Sequence, residues 1–538
     1  VSAAARLRPH AGLLAVLLVF FGLSFGATAH TSTTFDEILP MASGARGWRY
    51  GRFDVHLAHP PLAQYSYGLP VVPLVEAYPD QRADWPARLN YGYARAFVGE
   101  LGNPTERMVR VGRLPAALWG LAGILVVYVG CGGRPRRGAL SAALFLALLP
   151  DYLAHSGVAY NDVILACTMP LALLMGDRAV RRPSPRRGAL AGLCVGLALG
   201  TKFSALLLGP LALGVVALEA CGRRSRAEWA KQLGLAALVG LTCCYATLVV
   251  IERGDVTLEL WRAGLEWTLN PELRRIMPSY LFGELRPGSG LFYVVAYLVK
   301  LPLALHALVV LGAALFVRAR WRTRHGWRRW FRARWRMPLL GVATFVLLFA
   351  RTEVNNGLRY CLPAFPLLAL LFGPVWARAW RRARPAARWA WGGLWGAATL
   401  AVVAAYPHYL GYMNALIPVE QRKWVLVESS LDWGQGLIAL RDYMQEQRLE
   451  AVHLGYFGSA APASYGIRYR PLPSFLDIPP LPDVPPGDYP VVVSATLLSG
   501  LYLPGDPYAA YRDEQPIAVL AGGSLLVYAP RGVNPLPR

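Results

Sequence analysis

Charge is scarce in this chain. Of its 538 residues only 16% are Asp, Glu, Lys or Arg, and just four are lysine. Soluble proteins carry about a quarter of their residues charged, so the composition argues against an ordinary soluble enzyme. A disordered chain is excluded too, because disorder needs high charge and few apolar residues, whereas 55% of this sequence is hydrophobic. The seven cysteines all lie in apolar runs or at their edges, and the long polar segments hold none, so those segments have no disulfide framework. No internal repeat is visible, which weakens a secondary transporter, since many are built from repeats.

What is present is a series of apolar runs of the length that crosses a bilayer, about 20 residues. Eleven spans are expected, near 11–29, 112–130, 139–150, 158–175, 189–201, 203–218, 234–251, 291–317, 338–350, 360–376 and 391–406. The third and ninth are short, and only Thr201-Lys202 separates the fifth from the sixth. Very short connections on one side suggest helices that dip in pairs.

The net charge of +23 sorts by side. Alternate connections hold 28 basic residues, nine of them arginines in 318–337, against three acids (Asp177, Glu219 and Glu228). By the positive-inside rule these connections and the N-terminus are cytoplasmic and the C-terminus lies outside. A bacterial plasma membrane is the expected location. The basic charge then reports orientation, and nucleic acid is not an expected partner. Arg6, Arg8 and the small residues Ala27-Thr28-Ala29 also resemble a cleavable signal, but the apolar run exceeds the usual length and a retained span is favoured.

Two units are expected: a transmembrane unit, 1–406, with a long first outer loop at 30–111, and an outer α/β domain, 407–538. In the latter Trp424–Glu428, Ala451–Phe457, Pro490–Ala495 and Ser524–Ala529 read as strands from their β-branched and aromatic content. Gln435–Arg448 has an apolar face at helical spacing.

Ionisable groups gather at the outer ends of the spans, where their cost marks them as functional candidates. Asp36 and Glu37 follow the first span; Asp151, His155 and Asp162 bracket the next outer turn; Lys202, Lys300 and Arg359-Tyr360 stand at later ones. Carboxylates and cations converging at one depth suit a reaction between a lipid-borne anionic group and an acceptor from outside.

These residues carry a resemblance. Phe35-Asp36-Glu37 with His59-Pro60-Pro61-Leu62, then Tyr160-Asn161-Asp162, Gly200-Thr201-Lys202-Phe203, Ser279–Glu284 with Lys300-Leu301-Pro302, and Leu358-Arg359-Tyr360 resemble the GT-C superfamily. So do Tyr406–Leu410, Leu431-Asp432-Trp433-Gly434-Gln435 and Tyr456-Phe457-Gly458 in the tail. That superfamily comprises membrane glycosyltransferases using polyprenyl-phosphate sugars, including the family 39 protein O-mannosyltransferases and the aminoarabinose transferase of lipid A.

The resemblance implies a polytopic helical enzyme that transfers one sugar, with inversion, from an undecaprenyl-phosphate-like donor to a hydroxyl of a protein, lipid or glycan outside. Asp36 is then the base, Glu37 orients a neighbour, and Asp162 is either a second site carboxylate or an acid at a helix N-terminus. A lipid-phosphate leaving group needs fixed cations or donors, for which His59, Lys202, Lys300, Arg359 and Tyr360 are candidates. Asp432, Trp433 and Gln435 either form a lip that recognises the acceptor or, more blandly, cap and pack a helix, with Ser430 or Asp432 as N-cap. No cofactor is required; Asp54, His56 and His59 make at most a weak metal set. The alternative from another class is a transporter or flippase of a polar lipid or solute.

Overall fold

The computed structural model describes residues 10–79, 90–132, 137–222, 226–270, 278–321, 336–352 and 354–536. Arg6, Arg8, Arg134, Arg136, Arg223, Arg224 and most of the 318–337 arginines fall outside them.

Each of the eleven apolar runs is helical. They are α1 (Ala11–Ala27), α4 (Leu114–Gly130), α5 (Arg137–Ala147), α7 (Asn161–Arg181), α8 (Pro185–Leu199), α9 (Leu208–Gly222), α10 (Ala227–Ile251), the pair α11 (Leu291–Lys300) and α12 (Leu303–Trp321), α13 (Arg336–Phe349), α14 (Ala364–Arg382) and α15 (Pro385–Ala404). The loop after α1 adds α2 (Ile38–Tyr50) and α3 (Leu62–Gly68), and the turn before α7 adds α6 (Pro150–His155). Among the described residues, five helices are long and apolar enough to cross a membrane alone, six with the bent pair, so the chain is a multi-pass membrane protein.

Helices α8 and α10 pack in close contact. Gly188, Gly192 and Gly196 recur every fourth residue on one face, and a Cβ on Gly192 would stand 1.9 Å from the Gly240 carbonyl oxygen. Small residues at that spacing let two helices meet backbone to backbone in lipid, where packing rather than hydrophobicity drives association. This contact fixes the Gly200-Thr201-Lys202 turn at the end of α8. Between α7, α9 and α13, two of the three acids in the basic connections meet one buried arginine: Arg336 reaches Asp177 at 2.7 Å and also pairs with Glu219.

The eighth expected span is not one helix. It breaks at Leu301-Pro302 with a bend of 113°. Proline has no N–H to continue the ladder, and the freed carbonyls find partners in the tail. Asn414 donates from Nδ2 to the carbonyls of Leu298 and Leu301 (2.7 and 3.0 Å) and from its backbone to Val299 (2.7 Å).

Beyond α15 the chain builds a five-stranded mixed sheet in the order β4-β3-β5-β7-β6. β3 (Val452–Gly455) runs parallel to β4 (Tyr469–Pro471) and β5 (Val491–Ser494), and β7 (Leu525–Tyr528) runs antiparallel to β5 and to β6 (Ala518–Leu520). A small hairpin, β1 (Ser279–Leu281) and β2 (Glu284–Arg286), precedes them. α16 (Leu437–Glu446) packs Leu437, Leu440 and Met444 against the sheet. One expected strand is corrected: Trp424–Glu428 spans a short helical turn, Arg422–Val425, and enters a 3-10 turn at Glu428, whose left-handed φ of +55° ends any extended run.

Candidate active site

The first loop and the tail meet over one set of helix ends, and hydrogen bonds between them set the site. Phe35 N donates to Trp433 O (2.6 Å), Ser32 N to Gln435 O (3.1 Å), and Ser459 Oγ to Phe35 O (2.5 Å). The turn carrying Asp36 and Glu37 is therefore clamped by the tail.

The two neighbouring acids face opposite ways. Glu37 is fully buried and grips Arg113 through two bonds of 2.7 Å; it also accepts from the backbone of Thr34 (3.0 Å) and Ala159 (2.7 Å). A carboxylate so saturated is a fixture. Asp36 keeps some exposure, accepts from the Tyr91 hydroxyl at 2.8 Å and lies 3.3 Å from Arg359 Nη1.

Arg359 is the hub. The same Nη1 is 3.8 Å from Asp162 Oδ2, and Asp162 Oδ1 takes a bond of 2.6 Å from Lys202. The guanidinium stacks over Trp433 at 4.1 Å and Lys202 lies over Tyr360 at 4.3 Å, cation–π contacts that hold both charges in place. Local anchors explain the aim. Asn161 Nδ2 donates to Thr201 O (2.6 Å), Leu62 N to Gly200 O (3.1 Å), and Tyr67 to Tyr160 O (2.6 Å). His56 and His59 border the cluster through Tyr160, and Gln64 Nε2 ties the backbone carbonyls of both (2.9 and 3.1 Å). Burial lowers the His56 imidazole to about 4 and holds His59 well below its ordinary range, the latter aided by Lys202 and Arg359.

Not every candidate joins this group. Lys300, wholly buried, bonds to the carbonyls of Leu410 (2.6 Å) and Ser430 (2.9 Å) and lies 3.3 Å from Asp151, so it fastens the tail to the broken helix. Asp54 is engaged with Arg46 at 2.8 Å, apart from the two histidines, and the described residues contain no group of three His, Cys, Asp or Glu placed to hold a metal. Of the three tail candidates, Trp433 meets Arg359. Gln435 accepts from Trp433 N (2.7 Å) and donates to Leu431 O (2.8 Å). Asp432 is buried, accepting from Thr496 N (3.0 Å) and Gly434 N (3.4 Å). The bland expectation of an N-cap at Ser430 or Asp432 is corrected: α16 begins after Gly436, and Ser32 Oγ of the first loop accepts from Leu437 N (3.0 Å).

Sequence reasoning assigned no role to three residues. Arg113 was legible as a lone cation opening a span. His155 stood in the right turn without a role, and its ring lies 6.3 Å from Trp433. Glu428 lay hidden in the misread strand; burial raises its carboxyl, and Arg359 opposes that shift.

With the geometry in hand, the comparisons narrow the class. Residues 93–249, under a third of the chain, match the family model of dolichyl-phosphate-mannose-protein mannosyltransferase. No curated protein sequence matches significantly. Two crystal structures of ArnT from Cupriavidus metallidurans match along nearly their whole length. The form bound to undecaprenyl phosphate superposes with a TM-score of 0.50 at 14% identity, covering 97% of this chain and 100% of that one. The apo form gives 0.50 at 15%, covering 98% and 100%. The apo oligosaccharyltransferase of Archaeoglobus fulgidus gives 0.45 at 13%, covering 82% and 58%. The fold is thus that of ArnT.

Proposed function

We propose that this enzyme transfers a single sugar from a polyprenyl-phosphate donor to an acceptor hydroxyl on the outer face of a bacterial plasma membrane, with inversion, Asp36 acting as base. The observation that supports this best is one guanidinium, Arg359, spanning Asp36 and Asp162 beside Lys202. The undecaprenyl phosphate held by the structurally similar ArnT favours the same class of donor.

Asp36 takes the acceptor's proton as its oxygen bonds to the anomeric carbon. The bond from that carbon to the phosphate oxygen breaks, and the lipid phosphate leaves carrying the electron pair. Arg359 and Lys202, with the Tyr360 hydroxyl, hold the phosphate and stabilise the charge gained on departure. Asp162 fixes both cations. Donor phosphate competes with Asp36 for Arg359, so donor binding frees the base. Acceptors enter from the tail side, where Trp433 and Glu428 border the cluster. With the basic connections inside, this face is extracytoplasmic.

The test is transfer by the purified enzyme. Asp36→Asn should lower turnover by about 10²–10⁴-fold, the usual contribution of a general base, while binding of lipid phosphate persists. Transfer at the native rate would remove Asp36 from that role. Mass spectrometry of envelope proteins and lipids with and without the enzyme identifies the acceptor.

A further inference from the structure

Three imidazoles beside the Arg359 cluster have no part in the phosphate chemistry above. Among the described residues, both ring nitrogens of His56, both of His155 and Nδ1 of His59 are buried without a hydrogen-bond partner. His56 and His155 are only 1% and 2% exposed. Leaving a buried polar atom unpaired is costly, so five around one site call for a ligand.

Their placement says which part of the donor. The His56 and His59 rings are 5.5 Å apart and lie 6.2 and 5.8 Å from Tyr160. Tyr160 meets Trp433 edge-on at 5.8 Å, and His155 stands on Trp433 at 6.3 Å. Arg359 lies over both Tyr160 and Trp433, at 5.5 and 4.1 Å. The histidines thus surround the two aromatic rings that carry the phosphate-binding guanidinium, where the group attached to that phosphate must sit.

Their chemistry says what kind of group. A neutral imidazole offers one donor and one acceptor, the complement of a hydroxyl. Burial holds His56 and His155 near about 4, so both rings are uncharged at neutral pH. Uncharged rings supply no counter-charge to a carboxylate or to an ammonium group. We propose that His56, His59 and His155 form the pocket for the donor's sugar and select an uncharged hexose through its hydroxyls. This rests on the donor reading above and moves His59 from phosphate to sugar.

Binding to the purified full-length protein tests it. The probes are bare undecaprenyl phosphate and the same lipid carrying a panel of neutral hexoses, an amino sugar or a uronic acid. The native protein should bind at least one neutral hexosyl lipid roughly tenfold more tightly than bare lipid phosphate, the worth of one or two good hydrogen bonds. His56→Phe and His155→Phe should erase that increment while bare lipid phosphate binds as before; His155→Asn, which keeps a hydrogen-bonding group, should retain part of it. Preference for a charged sugar, equal losses for bare and sugar-bearing lipid, or no loss in any variant would overturn the proposal. The sugar panel on native protein decides even if the Phe variants fail to fold. If native protein binds bare lipid phosphate but gains nothing from any sugar, the pocket fails alone; if it binds neither, the donor reading fails as well.

Discussion

Asp36 and Glu37 are chemically alike, adjacent and equally close to a helix start, yet one is a fixture and the other is available. The difference is what each side chain meets: Glu37 turns inward onto Arg113 and two backbone amides, Asp36 toward Tyr91 and Arg359. The sequence supports only the inference that both cannot face the same site. Asp432 shows the same limit. It sits in a motif that reads as an acceptor lip, yet it is buried, and burial pushes its carboxyl up to about 7 against the hydrogen bonds from Thr496 and Gly434. A folded value above the unfolded one of 3.8 means the folded state holds the extra proton between them. That contribution to stability is full below about pH 4 and is lost as the pH rises toward 7. Asp432→Asn should therefore flatten the dependence of melting temperature on pH between 4 and 7 and match or exceed the native protein above 7. Thermal melts of both proteins across that range check it; parallel curves would refute it.

At the scale of elements, hydropathy located every apolar helix because lipid-facing and core-facing surfaces are both apolar and neither needs a partner to be recognised. It did not locate breaks. The Pro302 bend was readable as a proline within an apolar run, but its viability depends on Asn414, more than a hundred residues away, satisfying the freed carbonyls. The strands β4 and β6 were missed because each is three residues long and one ends in proline. The glycine face of α8 is the opposite case, a motif plain in the sequence whose meaning comes from its neighbour. With only 1.9 Å between a Cβ on Gly192 and a backbone oxygen of α10, the helices must separate to admit a methyl group. Gly192→Ala should destabilise the protein by about 1–3 kcal/mol, the range for overpacking, and reduce donor affinity because Lys202 follows the same helix. Melting in detergent and lipid-phosphate binding measure the two effects; an unchanged melt would contradict the packing argument.

For the whole molecule, the tail and the broken helix exchange caps: Asn414 serves α11, and Lys300 serves Leu410 and Ser430 while facing Asp151. Removing the ammonium leaves a buried carboxylate uncompensated, which typically costs about 3–5 kcal/mol. Lys300→Met should therefore loosen the tail, seen as faster limited proteolysis after α15 and a lower melting temperature. Lipid-phosphate binding well below that temperature should hold. Selective loss of binding with an unchanged melt would return Lys300 to the phosphate.

The sequence alone determined the class: a polytopic helical chain with its basic charge on one side and its ionisable motifs at the ends of helices on the other. Composition and periodicity carry that information, because each residue's preference for lipid, water or helix is local. Tertiary structure alone decided the partners, giving Arg113 to Glu37, Arg359 to Asp36 and Asp162, and Lys300 to the tail. Charges 323 residues apart meet only through the packing of helices and tail, and no local pattern encodes which of several equivalent cations a buried carboxylate will reach.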